Sequence, residues 1–216
     1  MTKMSRSLVI ASSLIAVSGT TAFAASPPPP SVDDGGWNAT ESAPPSSAVM
    51  LGTFRLEFET TRLEEVRHAA GVGAVAHQGD ASDSIYWLCY SASEHGSGQR
   101  IWILSSGEMG GPDHRITGVI AQLSRTFHAT PSCPALPAKF APIRLDRSLW
   151  LRSTEQEVGA ALGPPSRQHS EWLFYDFAGK SPQKCEDGFY DLTNALQVRM
   201  EHGLVTDLRA SQVTSC

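Results

Sequence analysis

Glu108, Asp113 and His114 stand in one stretch, Gly107-Glu108-Met109-Gly110-Gly111-Pro112-Asp113-His114. Two carboxylates and an imidazole at that spacing could move protons on a substrate or hold a hard cation. The Gly-Gly-Pro context reads more simply as a long hairpin connection. Such a loop, with Met109, Asp113 and His114 exposed on it, suits contact with another protein better than catalysis. The other histidines, at 68, 77, 95, 128, 169 and 202, are dispersed, and no H-x3-H or HExxH spacing occurs among the seven. That pattern disfavours a zinc enzyme. No serine lies in G-x-S-x-G, and no glycine-rich phosphate loop follows a strand and opens a helix. No catalytic, cofactor-binding or metal-binding residue is therefore assigned, and the expectation is a non-enzyme that needs no cofactor.

The four cysteines, Cys89, Cys133, Cys185 and Cys216, form an even set without C-x2-C spacing. In an exported chain this argues for two disulfides rather than a metal site. Three pairings are possible. Each half of the chain has one cysteine inside it and one after its last strand, which favours Cys89–Cys133 and Cys185–Cys216. Alternation along a strand puts Trp87 and Cys89 on one face and Leu88 and Tyr90 on the other. Trp172 and Phe174 form the matching set in the second half, and Trp102 adds a third tryptophan. If these rings share an open sheet face they make an aromatic patch suited to protein recognition. The plainer alternative is that they are core.

The elements that must position these residues come as a repeat. Trp87-Leu88-Cys89-Tyr90 recurs as Trp172-Leu173-Phe174-Tyr175, and Ile116-Thr117-Gly118-Val119-Ile120-Ala121 recurs as Val205-Thr206-Asp207-Leu208-Arg209-Ala210. Ahead of each tetrapeptide lies a helical pattern, 61–70 and 153–162, with an S/T-x-x-E/Q capping box starting at Thr61 or Ser153 and a stop at Gly71 or Gly163-Pro164. Phe54-Arg55-Leu56-Glu57-Phe58-Glu59 alternates as a half-buried strand. Three strands are expected after each helix, at 84–91, 100–106 and 115–123, and at 171–177, 195–201 and 204–211. The spacing predicts an α+β protein of two tandem helix-plus-antiparallel-sheet repeats, 49–130 and 143–216, joined by a connector at 131–142.

The ends bound the setting. Lys3 and Arg6, the apolar run Leu8–Val17 and Ala22-Phe23-Ala24 read as a signal peptide over 1–24. Residues 25–48, with Pro27-Pro28-Pro29-Pro30 and Pro44-Pro45, read as a disordered proline-rich linker. Removing residues 1–24 takes away two basic groups and no acidic one, so the chain's net −5 becomes −7. That balance argues against nucleic acid as partner. The expectation is a periplasmic or secreted protein with no transmembrane segment after processing.

Within the second repeat, Ser153, Val158, Leu162, Gly163, Pro164, Trp172, Tyr175, Gly203, Val205 and Leu208 form a motif that resembles the repeat of the β-lactamase inhibitor protein (BLIP)-like proteins and the SmpA/OmlA small outer-membrane lipoproteins. The first repeat departs from it, with Gly71-Val72-Gly73 in place of Gly-Pro. The resemblance implies sheets forming one curved surface that grips another envelope or secreted protein. Its alternatives are a factor for outer-membrane assembly or maintenance and an enzyme whose site is not visible in sequence. The chain has no lipid-acceptor cysteine, and its loops do not match the inhibitory ones, so β-lactamase inhibition does not carry over. The residues expected to touch the partner are Trp87, Trp102, Met109, Asp113, His114, Trp172 and Phe174.

Overall fold

Where apolar and polar residues alternate, the chain forms strands, and it does so more often than the sequence suggests. The computed structural model describes residues 25–31, 36–94, 96–124, 128–186 and 188–216. The signal peptide read at 1–24 lies outside the described residues. In chain order the elements are β1 (Ala48–Leu51), β2 (Phe54–Glu57), α1 (Leu63–Ala70), β3 (Ala76–Gln78), β4 (Ile85–Glu94), β5 (Ser97–Ser106), β6 (Gly118–Ser124), β7 (Ile143–Leu145), α2 (Glu155–Leu162), β8 (Arg167–His169), β9 (Trp172–Cys185), β10 (Gly188–Glu201) and β11 (Leu204–Ser215).

The expectation of an α+β protein built from two tandem helix-plus-antiparallel-sheet repeats is corrected. Strands take 84 of the described residues, and the two α-helices among those residues have eight each. The strands of both halves join in one antiparallel sheet, in the order β3-β4-β5-β6-β11-β10-β9-β8. A second sheet, β2-β1-β7, has three strands. Two causes account for the difference. The polar stretch Lys180–Asp191 reads as loop in sequence, yet it continues β9 and β10 as a long hairpin of cross-strand pairs such as Lys180 with Asp191. The pairing of β6 with β11, Val119 opposite Ala210 and Ala121 opposite Leu208, joins segments far apart in the chain, which no local pattern encodes.

One face of the large sheet carries Leu88, Tyr90, Ile101, Ile103, Val119, Ala121, Leu196, Val198, Leu208 and Ala210 into the main core. Val49, Leu51, Leu56 and Leu145 of the small sheet, Leu63 and Val66 of α1, and Val158 of α2 complete that core. Helices of two turns are marginal alone. Each fully buried aliphatic side chain contributes roughly 1.5–3 kcal/mol, so packing on the sheet, rather than helix propensity, holds α1 and α2 in place.

Both helix caps sit one residue later than the sequence suggests, and the described hydrogen bonds complete a capping box only at α2, since an arginine side chain cannot accept. Thr154 Oγ1 accepts from the Glu157 N–H, and Glu157 Oε2 accepts from the Thr154 N–H. At α1, Glu65 reaches back to the Arg62 N–H, while Thr61 turns its hydroxyl to the Glu57 N–H. Gly71 ends α1 in the left-handed region, φ 71°, where a side chain is disfavoured. At the β6–β11 seam a Cβ on Gly118 would stand 2.9 Å from the Ala210 carbonyl, so glycine is what lets the two halves close on each other.

Cys89 bonds to Cys133 and Cys185 to Cys216, with Cα atoms 4.8 and 6.1 Å apart. Among the described residues no helix is long and apolar enough to cross a membrane. Two disulfides fit folding in an oxidising compartment.

Candidate functional site

The second face of the large sheet carries its unusual chemistry. Cross-strand registers line its side chains up in rows perpendicular to the strands. One row runs Cys89, Trp102, Ile120, Arg209, Gln197, Phe174, Arg167. The row beside it runs Trp87, Leu104, Gly118, Ser211, Ala195, Asp176. On the other side lie Arg100, Gln122, Asp207, Arg199 and Trp172. Period-two alternation thus brings Trp87, Trp102, Trp172 and Phe174 onto one face, opposite the helices.

Arginines stack against these rings. Arg167 lies 3.6 Å from the Phe174 ring centroid, Arg209 lies 5.0 Å from Trp172, and Arg100 lies 5.7 Å from Trp102. Contacts of this kind contribute about 0.5–2 kcal/mol, more as water is excluded. Burial pulls the Arg209 guanidinium below its ordinary pKa, with Asp207 opposing, and burial does the same to Arg100. Both remain charged at any physiological pH. Arg209 Nε and Nη1 and Arg167 Nε are buried without a hydrogen-bond partner among the described residues.

The face is nevertheless not bare. Trp87 and Trp102 are each 3 % exposed and Phe174 is 1 % exposed. The proline-rich segment read as a disordered linker lies across them. The Trp87 indole N–H donates to Ser26 Oγ at 3.2 Å, and that of Trp102 donates to the Pro27 carbonyl at 3.0 Å. Arg209 donates to the Ser31 carbonyl at 3.3 Å and Arg167 to that of Gly36 at 2.6 Å. Beyond the sheet edge, the Asn38 N–H donates to Asp176 Oδ2, and the Thr40 and Glu41 N–H groups share the Asp176 carbonyl. The chain then passes to the helix side, where Ser46 and Asn194 exchange hydrogen bonds, before entering β1. A chain that is poor in apolar side chains has no core of its own to join. Its carbonyls find donors on the aromatic face instead.

Within 25–31 the exposed residues are 25, 28 and 31, and those between are half-buried. A period of three fits the left-handed polyproline II helix. The lengths agree as well. Pro27 to Ser31 spans about 12 Å at roughly 3.1 Å per residue, and the step from β5 to β11 is two strand spacings, about 10 Å.

The connector covers the same face from the other end. Cys133 is buried with Cys89, Trp87, Trp102 and Ile120, and Ser91 exchanges backbone hydrogen bonds with Pro134 and Leu136. Beside the strap an open groove of about 320 Å³ remains, floored by Leu104, Gly118, Ile120, Ala195 and Ser211. A larger cleft of about 700 Å³ lies toward the far ends of the strands. Polar and charged residues make up most of its lining, and its Arg199 is engaged by Glu171, Glu201 and Asp207, at 2.7, 2.9 and 3.9 Å.

The loop residues expected to touch a partner lie apart from the aromatic face. Met109 is exposed. Asp113 pairs with Arg62 of the α1 cap at 3.1 Å, and the His114 carbonyl accepts from the Leu63 N–H. The His114 ring packs 4.0 Å from Tyr86, which also stacks on His77. Tyr86 points to the helix side of β4, so this loop belongs to the other face, and the structure does not bring the two groups together. No local pattern in the sequence marks the stacked arginines or the strap. Arg100, two residues before Trp102, and Arg209, opposite Ile120, could have been placed by alternation once register was known.

No family model matches the chain, and no curated protein and no solved structure matches it.

Proposed function

We propose that this is an exported, non-enzymatic protein-binding module of the periplasm or medium. The observation that carries the reading is the arginine–aromatic array on the sheet face opposite the helices. Trp and Arg dominate the energetics of protein interfaces because both bury large, planar, hydrogen-bonding surfaces. Here the array already holds a polypeptide, the chain's own. Asp113 and His114, the best acid–base candidates, are engaged in an ion pair with Arg62 and a ring contact with Tyr86, which supports a structural use for them. The likeness of the 153–208 motif to BLIP-like and SmpA/OmlA repeats belongs to this proposal as a likeness of use.

The test is capture from an envelope extract followed by binding of the purified captured component. Wild type is compared with Arg167→Ala and with Trp172→Ala, each checked for native near-ultraviolet circular dichroism. Both variants are expected to weaken the binary affinity by about tenfold or more, the loss typical of an anchor residue. Equal affinity in folded variants would overturn the reading.

A further inference from the structure

We infer that the seat of the strap is a binding site for a proline-rich, extended segment of a partner protein, and that residues 25–31 are its resident competitor. The inference rests on the protein-binding reading and names the partner's chemistry. Its ground is the match between what each side offers. The face presents hydrogen-bond donors to the strap, namely the indole N–H groups of Trp87 and Trp102 and the guanidinium groups of Arg209 and Arg167. A run of prolines presents carbonyl acceptors and no N–H at all. Aromatic-lined grooves take such segments because the polyproline II form is stiff before binding and loses little entropy.

The acceptors used are the carbonyls of Pro27, Ser31 and Gly36 and one hydroxyl, of Ser26. Three of the four are backbone atoms, so the seat reads the extended conformation that a proline run enforces more than side-chain identity. A partner's proline run can therefore replace the chain's own. The strap is tethered at its far end by Asn38, Thr40 and Glu41 on Asp176. It can leave the tryptophans at its near end without disturbing β1. Partner binding is thus gated by competition: a tethered segment competes at an effective concentration of about millimolar, and only a better or longer proline run displaces it.

The probe is a synthetic peptide of residues 25–31, Ala-Ser-Pro-Pro-Pro-Pro-Ser, titrated into the full chain while tryptophan fluorescence is followed. Pro28→Gly with Pro29→Gly in the full chain softens the resident strap. That chain is expected to bind the peptide saturably and at least about tenfold more tightly than the unaltered chain, given millimolar competition in the latter. The same two changes placed in the peptide should abolish saturation. Trp102→Phe in the softened chain should weaken binding, because the ring stays and the N–H goes. Equal affinity of softened and unaltered chains overturns the inference, as does a softened, folded chain that binds no peptide. If the softened chain does not fold, the unaltered chain titrated to millimolar peptide decides by the presence or absence of saturation. A wild-type dimer that the peptide dissociates would show that a second copy is the occupant, and would overturn it too. Capture of an envelope protein without peptide binding removes this inference and leaves the protein-binding reading standing. Saturable peptide binding upholds the seat whether or not the extract yields a partner.

Discussion

Trp150 buries its indole in the main core and donates to Gln99 Oε1 at 2.8 Å, both side chains being enclosed. Trp102, on the other face of the same strand as Gln99, donates to a carbonyl of the strap. The two indoles obey one rule, that a buried N–H must be met, but the consequences of breaking the bond differ. The carbonyl that Trp102 uses is on a half-buried segment, where water can replace the bond. The Trp150 bond to Gln99 is buried, so water replaces it less readily. Gln99→Leu fills similar volume and orphans that N–H, so it is expected to destabilise the protein by about 1–3 kcal/mol. Urea denaturation should show a lower midpoint at unchanged slope. An unchanged midpoint would mean that the Trp150 indole finds another acceptor.

At the scale of elements, α2 depends on its cap more than its length suggests. Hydrogen bonds from the Thr154 N–H, then from its hydroxyl, hold the Glu157 carboxyl below the ordinary carboxylate range, with burial weakly opposing. A pKa lowered in the folded state means that the cap is fully formed above the unfolded carboxylate value, about 4.3. It is lost as pH falls through the lowered value. The amide proton shift of Thr154 should therefore titrate with a midpoint below the ordinary glutamate range, and Glu157→Gln should abolish that titration. A midpoint at or above the ordinary value would contradict the cap. This element was legible: Ser153-Thr154 ahead of Glu157 and Gly163-Pro164 behind bracket a helix by local rules, with an error of one residue at its start. So were Trp87 and Cys89 on one face and Leu88 and Tyr90 on the other, because a period of two is local. The seam of β6 with β11 and the length of β9 and β10 were not legible, since they are fixed by partners distant in sequence. The strap was half legible. Pro27–Pro30 announces an extended chain, but its contacts are made largely by carbonyls, which every residue has, so nothing in the run says where it lies.

For the whole molecule, the two disulfides close loops of similar size, with sequence separations of 44 and 31. In the chain-entropy model each then stabilises by about 4 kcal/mol, so loop length does not rank them. Environment does. Cys89 and Cys133 are sealed among Trp87, Trp102 and Ile120, where the bond also pins the connector over the aromatic face. Cys185 ends β9 at the turn into β10, and Cys216 follows β11, the first half-buried and the second exposed. A thiolate must reach a sulfur to exchange with it, so mild reductant should open Cys185–Cys216 first. Alkylation and mass spectrometry should find those two thiols labelled while tryptophan fluorescence stays native. Replacing Cys89 and Cys133 together by serine loses the crosslink and also places hydroxyls in an apolar cluster. That chain should melt well below one with Cys185 and Cys216 replaced. Simultaneous labelling of all four thiols, or equal melting of the two variants, would show that the cover over the tryptophans opens as readily as the free end of the sheet. The aromatic face would then be held shut by nothing stronger than the strap's own hydrogen bonds.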